Sequence, residues 1–562
     1  MKKALLHKLA FLLILLFPAS LVLAEFQRAE NGMVSSRSDI ASEVGKNILE
    51  QGGNAIDAAV AVGFALAVVY PSAGNIGGGG FMVIRTADGQ VYTQDAREKA
   101  PLTASRDMFL DSDGELDRQL SRSSLQATGV PGSVAGLLDA LERFGTMSRE
   151  QVLAPAIQLA ETGIVLNEDI AGQFQRNLRT FQQYPASLEV FSNNGEAYQA
   201  GDLWQQPDLA ATLTLISAFG RDGFYKGPVA DMLVTSMQAN NGLISHSDLE
   251  SYEPVWREPV HGVYRGYDIW SMPAPSSGGV LLVQMLNMLE AYNLTEIGWG
   301  SAETVHLMVE AQRRAYADRA EYLGDPDFYN VPSAMLTSKL YARQRFADFD
   351  PEAASLSDDI GAGSWPQEST QTTHYSIIDT EGNAVAVTTT LNSTYGNKFV
   401  VPGAGFLLNN EMDDFSSKPN TANGSGLLGG VANEIQPSKR MLSSMTPTIV
   451  TQNDNVFLVT GSPGGSTIIN TVLQVVINTI DHHMNVEDAV NSPRFHHQWQ
   501  PDIIRYEADA ITDQTVAELR AMGHQGISRS RFPLGDANSI MLIDNVLEGV
   551  SDPRNVGGVA GF

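Results

Sequence analysis

The sequence predicts a mixed α/β (α+β) protein of antiparallel strand pairs and helices, and three observations support that expectation. Apolar and polar residues alternate on either side of short turn-forming segments at 81–95, 374–390 and 448–460, as they do in hairpins. Segments 57–69, 302–322 and 467–480 have the length and apolar content of helices. The 51 glycines, 25 prolines and hydrophobic fraction of 43% belong to a globular, loop-rich chain rather than a fibrous or disordered one. At 562 residues the chain exceeds one ordinary hydrophobic core, so two large structural units are expected.

From the N-terminus, Lys2, Lys3 and Lys8 precede an apolar run at 9–17, then Pro18, then Val22-Leu23-Ala24. This order is that of a secretory signal over residues 1–24 with cleavage after Ala24, and the run is too short to span a bilayer. A buried N-terminal helix is the alternative. No later stretch reaches transmembrane length without charges or glycines. The mature chain is therefore expected in a periplasm or secreted, without a membrane anchor. Residues 32–35 read as a strand, and Asp39–Glu50 as a helix capped by Ser38 and stopped by Gly52-Gly53. Helix 57–69 is apolar on nearly every face and belongs inside the protein. Strands 81–85 and 90–95 turn at Ala87-Asp88-Gly89. Residues 351–370, rich in Ser, Asp, Gly and Ala, resemble an exposed linker. They lead straight into Thr372-Thr-His-Tyr-Ser376, a juxtaposition that suits a processing site or an ordinary domain linker.

Composition excludes several functions. There is no cysteine, so disulfides, cysteine nucleophiles and thiolate metal sites are ruled out. Lys+Arg total 36 against 64 Asp+Glu, a formal charge of −28 that repels nucleic acid and anionic lipid.

Candidate chemistry gathers after the linker. If Asp379-Thr-Glu-Gly-Asn383 closes a simple hairpin, Ile378 faces Ala384 and Thr372 falls opposite Thr390, within reach of a hydroxyl–hydroxyl hydrogen bond. Taken alone, both threonines are ordinary β-branched strand residues. Strands 448–451 and 456–460 flank Gln452-Asn-Asp-Asn455 and run into Gly461-Ser-Pro-Gly-Gly-Ser466 before a helix. Such a turn exposes backbone N–H groups that can stabilise an oxyanion, or is merely a turn. Gly77–Gly80 lacks the helix entry of a phosphate loop. Leu407-Leu-Asn-Asn-Glu411-Met-Asp413-Asp414-Phe415 offers three carboxylates, which suit a solvated face, a cation site or a grip on a substrate ammonium. Ser443-Ser444 and Arg97 are unremarkable on their own.

Together, Asp95-Ala-Arg-Glu-Lys-Ala-Pro101, Thr372-Thr-His-Tyr-Ser376, Leu408-Asn-Asn-Glu-Met-Asp-Asp-Phe415, Leu442-Ser-Ser-Met445, Gly461-Ser-Pro-Gly-Gly465 and Pro493-Arg-Phe-His-His497 resemble the γ-glutamyltranspeptidases, which are N-terminal-nucleophile (Ntn) hydrolases, over residues 25–562. The resemblance implies a four-layer αββα sandwich of two antiparallel sheets between helix layers, a stacking that periodicity alone does not give. It implies autocleavage at Gln371–Thr372 into a large subunit, 25–371, and a small one, 372–562, paired as a heterodimer. It further implies Thr372 as nucleophile, Thr390 as its positioning partner, and Gly464 and Gly465 as oxyanion hole. By the same resemblance, Arg97, Ser443 and Ser444 hold the substrate α-carboxylate, and Asn392, Glu411 and Asp414 the α-ammonium. Glutathione and related γ-glutamyl compounds are the implied donors, with water, amino acids or peptides as acceptors. No metal or organic cofactor is implied, and the pairs His482-His483 and His496-His497 read as structural. The loop 418–430 carries Ser425 where lidded members of the family have an aromatic residue. Alternatives are a glutaryl or cephalosporin acylase on the same scaffold, or a non-catalytic envelope-binding relative.

Overall fold

The computed structural model describes residues 25–360 and 372–562, save 419, 420, 422, 424 and 425. The expected signal, linker residues 361–370, Gln371 and Ser425 lie outside the described residues.

Local signals place the elements. Helix Asp39–Glu50 starts where expected, because the Ser38 side chain accepts the Ala41 N–H. The buried helix begins earlier than expected, at Ala55, because Asn54 caps it and Asp57 bonds back to the Asn54 N–H. All of Ala55–Val69 is buried. Gly79–Arg85 pairs with Val91–Ala96 as a hairpin. Thr448–Gln452 and Asn455–Thr460 pair as expected but across a tighter turn. A register shift at Val450/Thr451 leaves Gln452 opposite Asn455, so the connection is Asn453-Asp454, at φ 51° and 61°. Asn and Asp tolerate that left-handed geometry.

Fourteen of the described strands form two antiparallel seven-stranded sheets. One runs in the order Gly558–Gly561, Met33–Ser36, Thr373–Ile378, Ala384–Thr390, Gly79–Arg85, Val91–Ala96, Val255–Arg257. The other runs Glu25–Ala29, Val546–Ser551, Asn538–Ile543, Asn455–Thr460, Thr448–Gln452, Tyr267–Ser271, Val260–Tyr264. Three buried clusters give the layering. Val83, Ile378, Ala384 and Ala386 of the first sheet meet Ile449, Val459 and Ile540 of the second. The alternate residues of the first sheet, Met82, Ile84, Ile377 and Val385, pack outward with helices that include Ala55–Val69. Val450, Leu458 and Met541 of the second pack outward with Gly278–Leu289, Ala302–Tyr322 and Thr467–Ile480. Period-2 alternation thus feeds one interior between the sheets and two beneath the helices. The architecture is the expected αββα sandwich. Both sheets draw strands from either side of Thr372, so the two sequence halves are one folded body, not two separate domains.

Candidate active site

The centre of the first sheet sets the site. Ile378 pairs with Ala384 and Thr373 with Thr389, so the inferred hairpin register holds. Thr372 is buried, one residue before its strand, where that register continues towards Thr390. Thr390 closes the neighbouring strand opposite Gly79. A Cβ at Gly79 or Gly80 would lie 2.5 Å from the Ala96 carbonyl oxygen or 2.4 Å from that of Thr388, so the glycine run permits close strand approach rather than phosphate binding. After Thr390 the chain reverses at Asn392, φ 70°, whose N–H donates to Thr390 Oγ1 at 2.8 Å.

Arg97, Thr372, Thr390, Asn392, Glu411, Asp414, Ser443, Ser444 and Gly465 line one slot of about 30 Å³, joined by Arg319, Leu427, Met445 and Ile468. Gly464, the remaining expected residue, lines a wider cavity of about 350 Å³ that shares only Thr372 with the slot. Thr372 therefore stands between a narrow charged slot and an open chamber.

Charge is concentrated on one wall of the slot. Asn409 fixes the short helix Glu411–Asp414 by donating to the carbonyls of Gly77 and Gly129 and accepting the Glu411 N–H. The tight turn sorts its three carboxylates. Glu411 and Asp414 contact the Arg97 guanidinium, Asp414 at 2.6 Å, whereas Asp413 faces Arg122 at 3.4 Å and lies outside the slot lining. The residues expected to hold opposite ends of a zwitterion are thus paired with each other. Burial pushes Glu411 well above the usual carboxylate range against the pull of Arg97. Its Oε2 is buried without a hydrogen-bond partner. An unpaired buried acceptor costs about 1–3 kcal/mol, which a donor arriving in the slot would relieve.

Glu98, buried beside Arg97 at 3.7 Å, has no hydrogen bond to either carboxylate oxygen. Burial raises it from 4.5 to about 7. A raised acid contributes stability that is fully present below 4.5 and lost as pH climbs through about 7. Glu98→Gln is expected to flatten that slope. Thermal unfolding midpoints should fall less steeply across this window in the variant than in the parent; parallel falls would contradict the assignment.

Arg97 also donates to the Met441 and Leu442 carbonyls, next to which Ser443 Oγ accepts the Met445 N–H at 3.1 Å and Ser444 Oγ accepts Arg319 Nη2 at 3.3 Å. The turn before helix Thr467–Ile480 holds Gly464 at φ 132° and Gly465 at φ 56°, a conformation that glycine accepts. Neither N–H has an acceptor among the described residues. A Cβ at Gly464 would sit 2.3 Å from Thr467 Oγ1.

A threonine at a strand start, a narrow charged slot and glycine N–H groups without acceptors among the described residues suit amide cleavage. A sequence profile described as Gamma-glutamyltranspeptidase matches residues 41–562. The chain belongs to the γ-glutamyltranspeptidase family. It is 49% identical over 532 residues to a glutathione hydrolase proenzyme of Escherichia coli (strain K12), covering 94% of this chain and 91% of that one. It is 47% identical to the matched chain of a Helicobacter pylori γ-glutamyltranspeptidase crystal structure, with a TM-score of 0.57 over 58% of this chain and 93% of that one. A cephalosporin acylase crystal structure from Bacillus halodurans superposes with a TM-score of 0.85 at 25% identity, covering 100% and 99% of the two chains.

Two histidine clusters of this family member are held by internal hydrogen bonds. His306, Glu310 and His524 are the one three-residue group among the described residues with metal-ligand spacing. Glu310 already accepts from Arg313, Arg314 and the Ser355 N–H, and His306 and His524 share a 2.8 Å bond. His496 and His497 are buried, hydrogen-bonded to Asn470, Gln498 and Asp502, and lowered by burial to about 3 and 4. Their structural reading fits. Arg319 is the charged lining residue that sequence reasoning missed. It sits in Gln312-Arg-Arg-Ala-Tyr-Ala-Asp-Arg319, which reads as a solvated helix face but is entirely buried.

Proposed function

We propose that Thr372 is the nucleophile of a γ-glutamyltransferase and glutathione hydrolase that matures by cutting its own Gln371–Thr372 bond. The unpartnered Glu411 Oε2 in a slot that ends at Thr372 carries this reading, because a γ-glutamyl donor brings both a carboxylate and an ammonium. Cleavage frees the Thr372 α-amine, whose ordinary pKa near 7.7–8.0 suits a general base at neutral pH. Thr372 Oγ attacks the γ-amide carbonyl while the amine takes the hydroxyl proton. The Gly464 and Gly465 N–H groups take the charge that develops on oxygen. Collapse expels the amine half with that proton and leaves a γ-glutamyl ester on Thr372. Water or an acceptor amine then attacks the ester and restores the threonine. Thr390 positions the nucleophile. Arg97, Ser443 and Ser444 take the α-carboxylate, and Asn392, Glu411 and Asp414 the α-ammonium.

Several observations support maturation. The Escherichia coli relative is named a proenzyme. The Helicobacter pylori chain is matched over 93% of itself but covers 58% of this sequence, as a fragment of a longer precursor would. Residues 1–24 favour export to a periplasm or the medium, and among the described residues no helix is long and apolar enough to cross a membrane.

The acylase alternative differs at one functional group, since a glutaryl donor has no ammonium for Glu411 and Asp414. Purified mature protein is expected to favour L-γ-glutamyl-p-nitroanilide over glutaryl-p-nitroanilide by about 10²-fold in kcat/KM, the scale of a lost charge-assisted contact. A preference for the glutaryl anilide would overturn the reading.

A further inference from the structure

Helix Ala302–Tyr322 buries three arginines, and they are not equivalent. Arg313 pairs with Glu310 at 3.3 Å and Asp502 at 2.5 Å, and Arg314 with Glu310 at 2.5 Å and Asp348 at 2.9 Å. Arg319 is 3% exposed, lines the slot beside Thr372, and makes no ion pair among the described residues. Its Nε donates to Ser277 Oγ at 2.9 Å and its Nη2 to Ser444 Oγ at 3.3 Å. Both partners are neutral, so a positive charge stands at the slot wall without an anion in contact, Asp414 acting on it only at longer range. Burial brings its guanidinium down only to about 10, so it remains charged at neutral pH. A buried uncompensated cation is unfavourable unless an anion joins it.

The slot's other guanidinium is already engaged. Arg97 directs one Nη to Glu411 and the other to Asp414. An incoming carboxylate therefore meets little net positive charge at Arg97. The serines complete the contrast. Ser444 Oγ accepts from Arg319 and Ser443 Oγ from the Met445 N–H, so each hydroxyl keeps its proton for another acceptor. Ser277 Oγ, held by Arg319, donates to the Ser443 carbonyl at 2.7 Å and ties both serines to the helix.

We infer that Arg319 is a specificity-determining residue for the donor α-carboxylate, supplying the unneutralised charge that Arg97 lacks and orienting the Ser444 hydroxyl as a donor into the slot. This deepens the γ-glutamyl reading and rests on it. The requirement it sets is for a carboxylate on the carbon that bears the ammonium, whether or not the ammonium is present.

The test uses the mature enzyme with three anilides: L-γ-glutamyl, with carboxylate and ammonium; glutaryl, with carboxylate alone; and 4-aminobutyryl, with ammonium alone. Arg319→Gln is expected to lower kcat/KM about 10²-fold for the first two, mainly through KM, and to leave the third within about 3-fold. Arg319→Lys keeps the charge without the fork and is expected to lose less, on the same two donors. If Arg319→Gln fails to fold, the same ratios in Arg319→Lys decide. Equal losses on all three anilides mean a purely structural role and overturn the inference, as does no loss. Either failure leaves the γ-glutamyl reading intact provided the parent enzyme prefers the γ-glutamyl anilide; a parent that does not prefer it sinks that reading instead.

Discussion

Thr372→Ala is expected to persist as one chain running through residue 372 and to turn over no γ-glutamyl anilide above background. The substitution removes the hydroxyl that the proposed mechanism uses both for the attack and for self-cleavage, and losing a nucleophile of this kind costs at least about 10⁴-fold in kcat. The fold should survive. Thr372 lies outside the strand, whose pairing with Ala384–Thr390 is carried by residues from Thr373 onward. Far-ultraviolet circular dichroism matching the parent, with one band on a denaturing gel, is the expected result. Two bands of parental size would remove the nucleophile assignment.

The second large effect is selective. Asp414→Asn preserves shape, including the 3.0 Å bond from Asn423, and removes a charge that faces Arg97 at 2.6 Å. A γ-glutamyl donor should then lose about 10²-fold in kcat/KM, as expected when one partner of a desolvated charge pair is neutralised. A glutaryl donor, with no ammonium to lose, should change by only about 3-fold. Equal losses on the two donors would sink the ammonium-binding role of Asp414 and, with it, the main chemical distinction from a glutaryl acylase.

The legible parts of this protein were those written in local pattern. Period-2 alternation and a five-residue loop were enough to set Ile378 against Ala384, and hence to bring Thr372 towards Thr390. The turn at Asn453-Asp454 was not, because a bulge in its strand shifts the pairing by one residue without any change in alternation. Sheet stacking was out of reach of periodicity, since a strand buried on both faces does not announce which face meets the other sheet. It was reached through family resemblance. Ser443-Ser444 and Gly464-Gly465 were unremarkable as residues and came forward through family resemblance; the structure lines the slot with Ser443, Ser444 and Gly465 and the adjoining cavity with Gly464. Residue pattern alone left the three carboxylates of 411–414 equivalent; the resemblance singled out Glu411 and Asp414, and the tight turn of that helix gives the physical separation, turning Asp413 to Arg122. Arg319 was missed for a different reason. Its charged neighbours mimic a solvated face, and the burial that makes it informative comes from tertiary packing.

The most direct test of the central claim is the intact mass of the purified, mature protein. The account predicts two chains, the smaller with Thr372 at its N-terminus and ending at Phe562. A single chain continuous through Gln371–Thr372 in active protein would contradict it, because Thr372 would then have no free amine to serve as its base.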